Sequence, residues 1–220
     1  MTLSLYLQIV NLLAALLLLI AFAMLSQRRI AGLVTLFQLQ GVALAASTAL
    51  VAYSTELHHL YVSSVMTVAL KVIVLPWIFY RLIRRLNVDR DVEPMINVPT
   101  TMLIGIALVI FAFNLALPIS EMAGTVTRAT LGIAMATVLL AFLMMITRSK
   151  AIPQVIGFLS MENGLFFAAT SATYGMPLVV ELGVALDVLI GVIVLGIFFF
   201  QIRETFDSLD LKHMERLKER

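Results

Sequence analysis

Long uncharged stretches alternate along this chain with short polar breaks. Met1 to Gln27 carries no charged side chain and ends at Arg28-Arg29. Ile30 to Thr55 is a second uncharged run, ended by Glu56-Leu57-His58-His59. Leu60 to Tyr80 is a third, interrupted by Lys71 and closed by Arg81, Arg84 and Arg85. A polar linker follows, Asn87-Val88-Asp89-Arg90-Asp91-Val92-Glu93-Pro94, with Pro99 at its end. Thr100 to Leu117 is the fourth run, with Pro118 as its expected stop. Ala129 to Thr147 is the fifth, closed by Arg148 and Lys150. Ile152 to Thr173 carries Glu162, and Leu178 to Ile202 carries Glu181 and Asp187. A spanning helix needs about 20 mostly apolar residues, so the pattern predicts an all-α integral membrane protein of about seven transmembrane helices.

Composition agrees. The chain of 220 residues is 61% hydrophobic and 13% charged, where a soluble domain carries roughly 25% charged residues. So much apolar surface exceeds what one soluble core hides, and lipid is the natural solvent. There is no cysteine, hence no disulfide framework, thiolate metal site or cysteine nucleophile. The net charge is +2, with basic residues spread between apolar runs, so nucleic acid is not an expected partner. The first span lacks a basic start and is longer than a signal-peptide core of about 7–15 residues, so it reads as a retained span.

Basic residues give an orientation. With seven spans, thirteen of the fifteen Lys and Arg residues fall on one side, Arg128 falls on the other and Lys71 lies within a span. The expected arrangement is a bacterial cytoplasmic (inner) membrane protein with its N-terminus outside and its tail inside.

The chain also repeats itself. Ser26-Gln27-Arg28-Arg29-Ile30-Ala31 matches Thr147-Arg148-Ser149-Lys150-Ala151-Ile152. The Gln40-Gly41 stretch matches Asn163-Gly164, and Val68-Ala69-Leu70-Lys71-Val72-Ile73 matches Val184-Ala185-Leu186-Asp187-Val188-Leu189. Two parallel three-helix repeats with an inserted fourth span follow: residues 1–85, a linker at 86–99, the inserted span at 100–118, the second unit at 124–202 and a tail at 203–220.

Three charges sit near mid-span: Lys71, Glu162 and Asp187. A charge at the bilayer centre costs at least about 2.5–3.5 kcal/mol on insertion scales, so such residues are functional candidates. The repeat places Lys71 opposite Asp187. Rise per residue places Glu162 about 15 Å from one end of its span and Asp187 at a similar depth on the next helix. Glu181, about 9 Å from Asp187 along the helix, either continues a polar path or reaches the interface. A static ion pair and a proton relay look alike in sequence. His58-His59 reads as an interface pair in a short loop. Arg128 reads as snorkelling to the surface, and Asn11 and Asn114 as helix-contact hydrogen bonders. Phe206, Leu209, Met214 and Leu217 form one side of a possible tail helix, read equally as a docking face or a solvated tail.

Phe158-Leu159-Ser160-Met161-Glu162-Asn163-Gly164, followed by Leu178 to Asp187 and preceded by Lys71-Val72-Ile73-Val74-Leu75-Pro76, resembles the hydrogenase 4 component E family. These are membrane subunits of formate hydrogenlyase-type, energy-converting nickel–iron hydrogenase complexes. The last three spans more distantly resemble the K-type subunit of respiratory complex I and the C-type subunit of multisubunit cation/proton antiporters. Asp187 falls on the second of their two mid-membrane acids, and Glu162 about one helical turn from the first. The resemblance implies a non-catalytic subunit of an oxidoreductase complex, with no cofactor or metal of its own. Its implied partners are antiporter-like and other membrane subunits and, indirectly, the soluble nickel–iron and iron–sulfur subunits. It also implies that Lys71, Glu162, Asp187 and Glu181 are candidates for proton or sodium translocation coupled to redox chemistry. Membership of a cation/proton antiporter and a purely structural role as a membrane anchor are the alternatives.

Overall fold

A computed structural model describes residues 3–55, 58–86, 95–123 and 128–173, and beyond them the single positions Gly183, Leu189, Gly191, Ile193 and Gly196. The chain divides into two compact units, Met1–Val184 and Ala185–Arg220. In the second unit Leu189, Gly191, Ile193 and Gly196 are helical.

Apart from short turns, the described residues of the first unit are helical. Its elements are α1 (Leu3–Ser26), α2 (Ile30–Thr55), α3 (His58–Thr67), a π-helical segment (Val68–Val74), α4 (Leu75–Leu86), α5 (Val98–Ala123), α6 (Arg128–Thr147) and α7 (Ala151–Thr173). Helices are what such a sequence must form in lipid, where each backbone N–H and C=O has to be satisfied within the segment. Among the described residues, five stretches are long and apolar enough to cross a membrane: Gln8–Ser26, Ile30–Ser54, Leu60–Arg84, Val98–Pro118 and Ala129–Thr147. The expected sixth span forms a helix, α7, but is less apolar. Gln154, Ser160, Glu162, Asn163 and Thr170 dilute it. The seventh expected span falls largely outside the described residues.

Two sequence expectations change. Pro118 does not stop the fourth helix, which runs on to Ala123. A proline removes one backbone donor, a loss that membrane helices tolerate. His58 does not lie in a loop but is the first residue of α3.

The helices pack as two hairpins, α1 with α2 and α6 with α7. They meet face to face, α1 against α6 and α2 against α7. The third span also packs on α2, and α5 lies against α6 and α1. The two loops matched in sequence therefore sit side by side. Arg148 is buried there, and its Nη2 donates to the carbonyls of Leu25 at 2.8 Å, Gln27 at 3.0 Å and Met24 at 3.4 Å. Those carbonyls are the ones a helix C-terminus leaves without an intrahelical donor. Gln27 Oε1 accepts from the backbone N–H groups of Arg28 and Arg29, which turns the chain into α2. The Met95 N–H donates to Thr147 O at 2.9 Å, which fixes the start of α5 at the same end.

Candidate functional site

The third span is the least regular helix and carries the least expected side chain. Lys71 is the fourth residue of the π-helical segment, and the Leu75 N–H closes an i→i−5 bond on Leu70 O. π-Bulges inside helices recur at functional sites. From Leu60 and Arg84, the ends of the span, Lys71 lies about 16 and 20 Å deep by helical rise. Gln38 Nε2 donates to Val72 O in the widened turn at 3.0 Å, so α2 takes up a carbonyl there. Gly41 lets the two backbones approach. A Cβ on it would stand 3.2 Å from Lys71 Cβ and 3.4 Å from Val72 Cγ2.

Lys71 is 1% exposed and reaches across to α7. Its Nζ donates to Glu162 Oε1 at 2.9 Å and to Asn163 Oδ1 at 2.7 Å. Glu162 is 3% exposed, and Asn163 and Gln40 are fully buried. Lysine only donates, so the Asn163 carbonyl oxygen must face it and the amide nitrogen must face away. That nitrogen donates to Gln40 Oε1 at 3.1 Å. The same logic turns Gln40 Nε2 outward, where it is a buried donor with no partner among the described residues. Phe166, one turn along α7 from Glu162, presents its ring 5.8 Å from Nζ, within reach of a cation–π attraction.

The result is a hydrogen-bonded line from α7 to α2, Glu162–Lys71–Asn163–Gln40, at the middle depth of the helices. It holds one cation and one carboxylate in contact in a low-dielectric setting. An interaction in such a setting is weakly screened, so the contact is sensitive to nearby charge.

Of the four expected site residues, the structure brings Lys71 and Glu162 together. Asp187 and Glu181 lie outside the described residues, as do the tail positions Phe206, Leu209, Met214 and Leu217. Among the described residues, no group of three His, Cys, Asp or Glu side chains is placed to hold a metal ion. Sequence reasoning did not single out Asn163 and Gln40 as site residues. Their signal was the repeat itself, an amide followed by glycine at matched positions, Gln40-Gly41 and Asn163-Gly164.

The chain is 34% identical over 194 residues to the uncharacterized protein Rv0085 of Mycobacterium tuberculosis (strain ATCC 25618 / H37Rv), a match that covers 88% of each protein. It is 24% identical over 148 residues to hydrogenase-4 component E of Escherichia coli (strain K12), covering 67% of this chain and 68% of that one. Hydrogenase-4 component E of Shigella flexneri matches to the same extent. No family model matches the chain, and no solved structure matches it.

Proposed function

The chain belongs to the family of the uncharacterized protein Rv0085 of M. tuberculosis, and on that premise we propose that it is a non-catalytic membrane subunit of a hydrogenase-type redox complex. In this reading it supplies buried charges to ion movement driven by redox chemistry elsewhere in the complex. The single observation that carries the reading is the Lys71–Glu162 pair, buried at mid-depth on a π-helical segment. Two ionised groups there are expensive to insert, and intramembrane ionisable residues mark ion pathways and proton relays. The more distant likeness to hydrogenase-4 component E supplies the kind of complex.

The chemistry of the chain's own residues is a proton transfer. Lys71 holds a proton against Glu162. Asn163 and Gln40 orient the lysine and lend it an acceptor. Asp187, the residue that the repeat matches to Lys71, is proposed as a further charge of the translocation chemistry. Movement of a charge in a neighbouring subunit shifts the pair between an ionised and a neutral arrangement, and the proton shift passes the change on.

Two measurements test this. Affinity purification in mild detergent, with mass spectrometry of the retained proteins, is expected to recover hydrogenase-type redox subunits. Recovery of cation/proton antiporter subunits alone would replace the redox reading with the antiporter one. In the assembled complex, Lys71→Met, Glu162→Gln and Asp187→Asn are expected to lower ion movement per redox turnover while assembly is kept. Wild-type coupling in all three correctly assembled variants would leave a structural anchor.

A further inference from the structure

The surroundings of the Lys71–Glu162 pair differ sharply along the helix axes. Towards the end of the bundle where α2 finishes at Thr55 and α3 begins at His58, buried hydroxyls line the third span beside an apolar cluster that includes Leu44, Val51, Phe166 and Phe167. The inward face of the third span reads Leu60, Ser63, Ser64, Thr67, Lys71, the i, i+3, i+4, i+7 stripe of a helix. Its outward face is apolar and exposed, at Val62, Val65, Met66 and Val68. The helix thus turns its polar side inward. Opposite it, Ser47 and Thr48 of α2 are buried, as is Thr170 of α7. Ser64 Oγ donates across the seam to Ala45 O at 2.9 Å.

Towards the other end, where Arg29 and Leu86 lie, the same helices bury apolar groups. These are Leu33, Val34 and Phe37 on α2 and Leu75, Ile78, Phe79 and Leu82 on α4. On α7, Ile156 and Leu159 continue that layer, and Ser160 is the buried hydroxyl within it. This apolar layer extends about 16 Å from Lys71 along α4 by helical rise. On the hydroxyl side the column reaches Ser63, about 12 Å from Lys71, and Leu60, Val51 and Ala52 beyond it belong to one buried apolar cluster.

Small hydroxyl residues also serve plain helix packing, so the stripe alone proves little. Two buried groups distinguish the seam. Ser63 Oγ and Gln40 Nε2 have no hydrogen-bond partner among the described residues. A buried donor in that state costs about 1–3 kcal/mol, and a site with several polar atoms is where water is held. One of these groups lies in the hydroxyl column and the other at the pair itself.

We propose that the Lys71–Glu162 pair exchanges protons with one face of the membrane only, the face at the Thr55/His58 end, through water held in the hydroxyl-lined seam between α2 and α3. Leu60 is the gate of that seam, and the apolar layer around Phe37 and Phe79 seals the opposite side. The inference rests on the reading of the pair as a proton-exchanging site. Its test measures water access alone and stands apart from the test of coupling.

The chain has no cysteine, so single cysteines report without background. Ser63→Cys and Thr67→Cys probe the seam, and Phe37→Cys and Ile78→Cys probe the seal. Tyr53→Cys and Arg84→Cys, both exposed and at opposite ends, report which end faces the reagent. The probe is silver ion, applied to right-side-out and to inverted native membrane vesicles holding the full chain. Protection of each thiol from later maleimide alkylation is read by mass spectrometry. The expected result is protection of Cys variants at 63 and 67 at least ten times faster from the side on which the Tyr53 variant reacts. Variants at 37 and 78 are expected to resist silver from both sides. Equal protection from the two sides, protection only from the Arg84 side, or no protection at 63 and 67 would each overturn the proposal. The last of these leaves the hydroxyls as packing groups. Ser63→Cys is nearly isosteric, so it carries the test even if Thr67→Cys disturbs the fold.

Discussion

At the residue scale, the Lys71–Glu162 contact is a buried ion pair whose net worth is small while its breakage is costly. Desolvation of both groups offsets their attraction, whereas removal of one partner leaves the other charge buried. Lys71→Met and Glu162→Gln are each expected to destabilise the chain by about 3–5 kcal/mol. The double variant Lys71→Met/Glu162→Gln is expected to recover much of that loss. Melting in detergent, read as a double-mutant cycle, checks the coupling. Additive losses would mean that the two side chains do not depend on each other. Lys71 was legible in the sequence because a single charge interrupts an apolar run, and Glu162 for the same reason. Which acid Lys71 meets was not. It depends on α7 crossing α2 at the depth of Gln40, which neither span records alone. The repeat match pointed instead from Lys71 to Asp187. Asn163 and Gln40 were visible only as an amide–glycine echo, since amides inside spans are ordinarily read as helix-contact groups.

At the element scale, two features position the site. The first is the close approach of α2 to the π-helical segment at Gly41, where the nearest atoms include Lys71 Cβ and the Lys71 carbonyl carbon at 3.6 Å. Atoms so near the backbone do not swing aside as a side-chain tip would. Gly41→Leu is therefore expected to push the segment away and to destabilise the protein by about 1–3 kcal/mol, the usual scale of overpacking. A melting temperature at the wild-type value would show that the approach is not tight. The second is Arg148, which holds the end of α1 from the end of α6. Burial, and after it the charge of Arg28, lowers the pKa of the Arg148 guanidinium below the ordinary arginine value. Its Nε and Nη1 are also buried with no partner among the described residues. Part of the gain from its three carbonyl contacts is thus cancelled by desolvation, and the global cost of Arg148→Ala is expected to be modest. The local effect is expected to be clear. Amide hydrogen exchange in residues 24–29 should quicken relative to that of α7, and unchanged exchange there would remove Arg148 as the clasp. The π-helical turn was not legible. Val68-Ala69-Leu70-Lys71-Val72-Ile73-Val74 itself contains no glycine or proline, but Pro76, two residues beyond it, has no N–H to give to Val72 O, the carbonyl that Gln38 takes up. Pro118 was misleading in the opposite sense, since proline reads as a stop in water and as a tolerated interruption in lipid.

At the scale of the whole molecule, the one-sided distribution of basic residues acquires a geometric basis. Arg148 touches the end of α1, and Met95 at the start of α5 bonds to Thr147 at the end of α6. Tyr80 of α4 bonds to Thr35 near the start of α2, hydroxyl to hydroxyl at 3.0 Å. Arg28, Arg29, Arg81, Arg84, Arg148 and Lys150 are thereby gathered at one end of the helices. Arg81 also lies 5.3 Å over the Trp77 ring, and arginine with tryptophan is a pairing typical of a membrane–water boundary. At the opposite end lie Thr55, His58 and the start of α6. The bias of lysine and arginine to the cytoplasmic side orients a multi-span protein, so the arginine-rich end is expected to face the cytoplasm. In that orientation the linker around Arg90 and the tail after Arg203 are cytoplasmic, and the seam of hydroxyls beside Lys71 opens to the outside. Single cysteines at Arg84, Arg90 and Arg203, and at His58, are the direct measurement. A membrane-impermeant maleimide applied to intact cells is expected to label the variant at 58 and to leave those at 84, 90 and 203 unlabelled until the cells are opened. Labelling of 84 from outside would invert the orientation and send the seam to the cytoplasm, while the Lys71–Glu162 contact, set by α2 and α7 alone, would stand unchanged. Labelling of 203 but not 84 from outside would instead place an odd number of crossings between them, so that, with α5 and α6 each crossing once, the less apolar α7 and the chain beyond it would together contribute an odd number of spans.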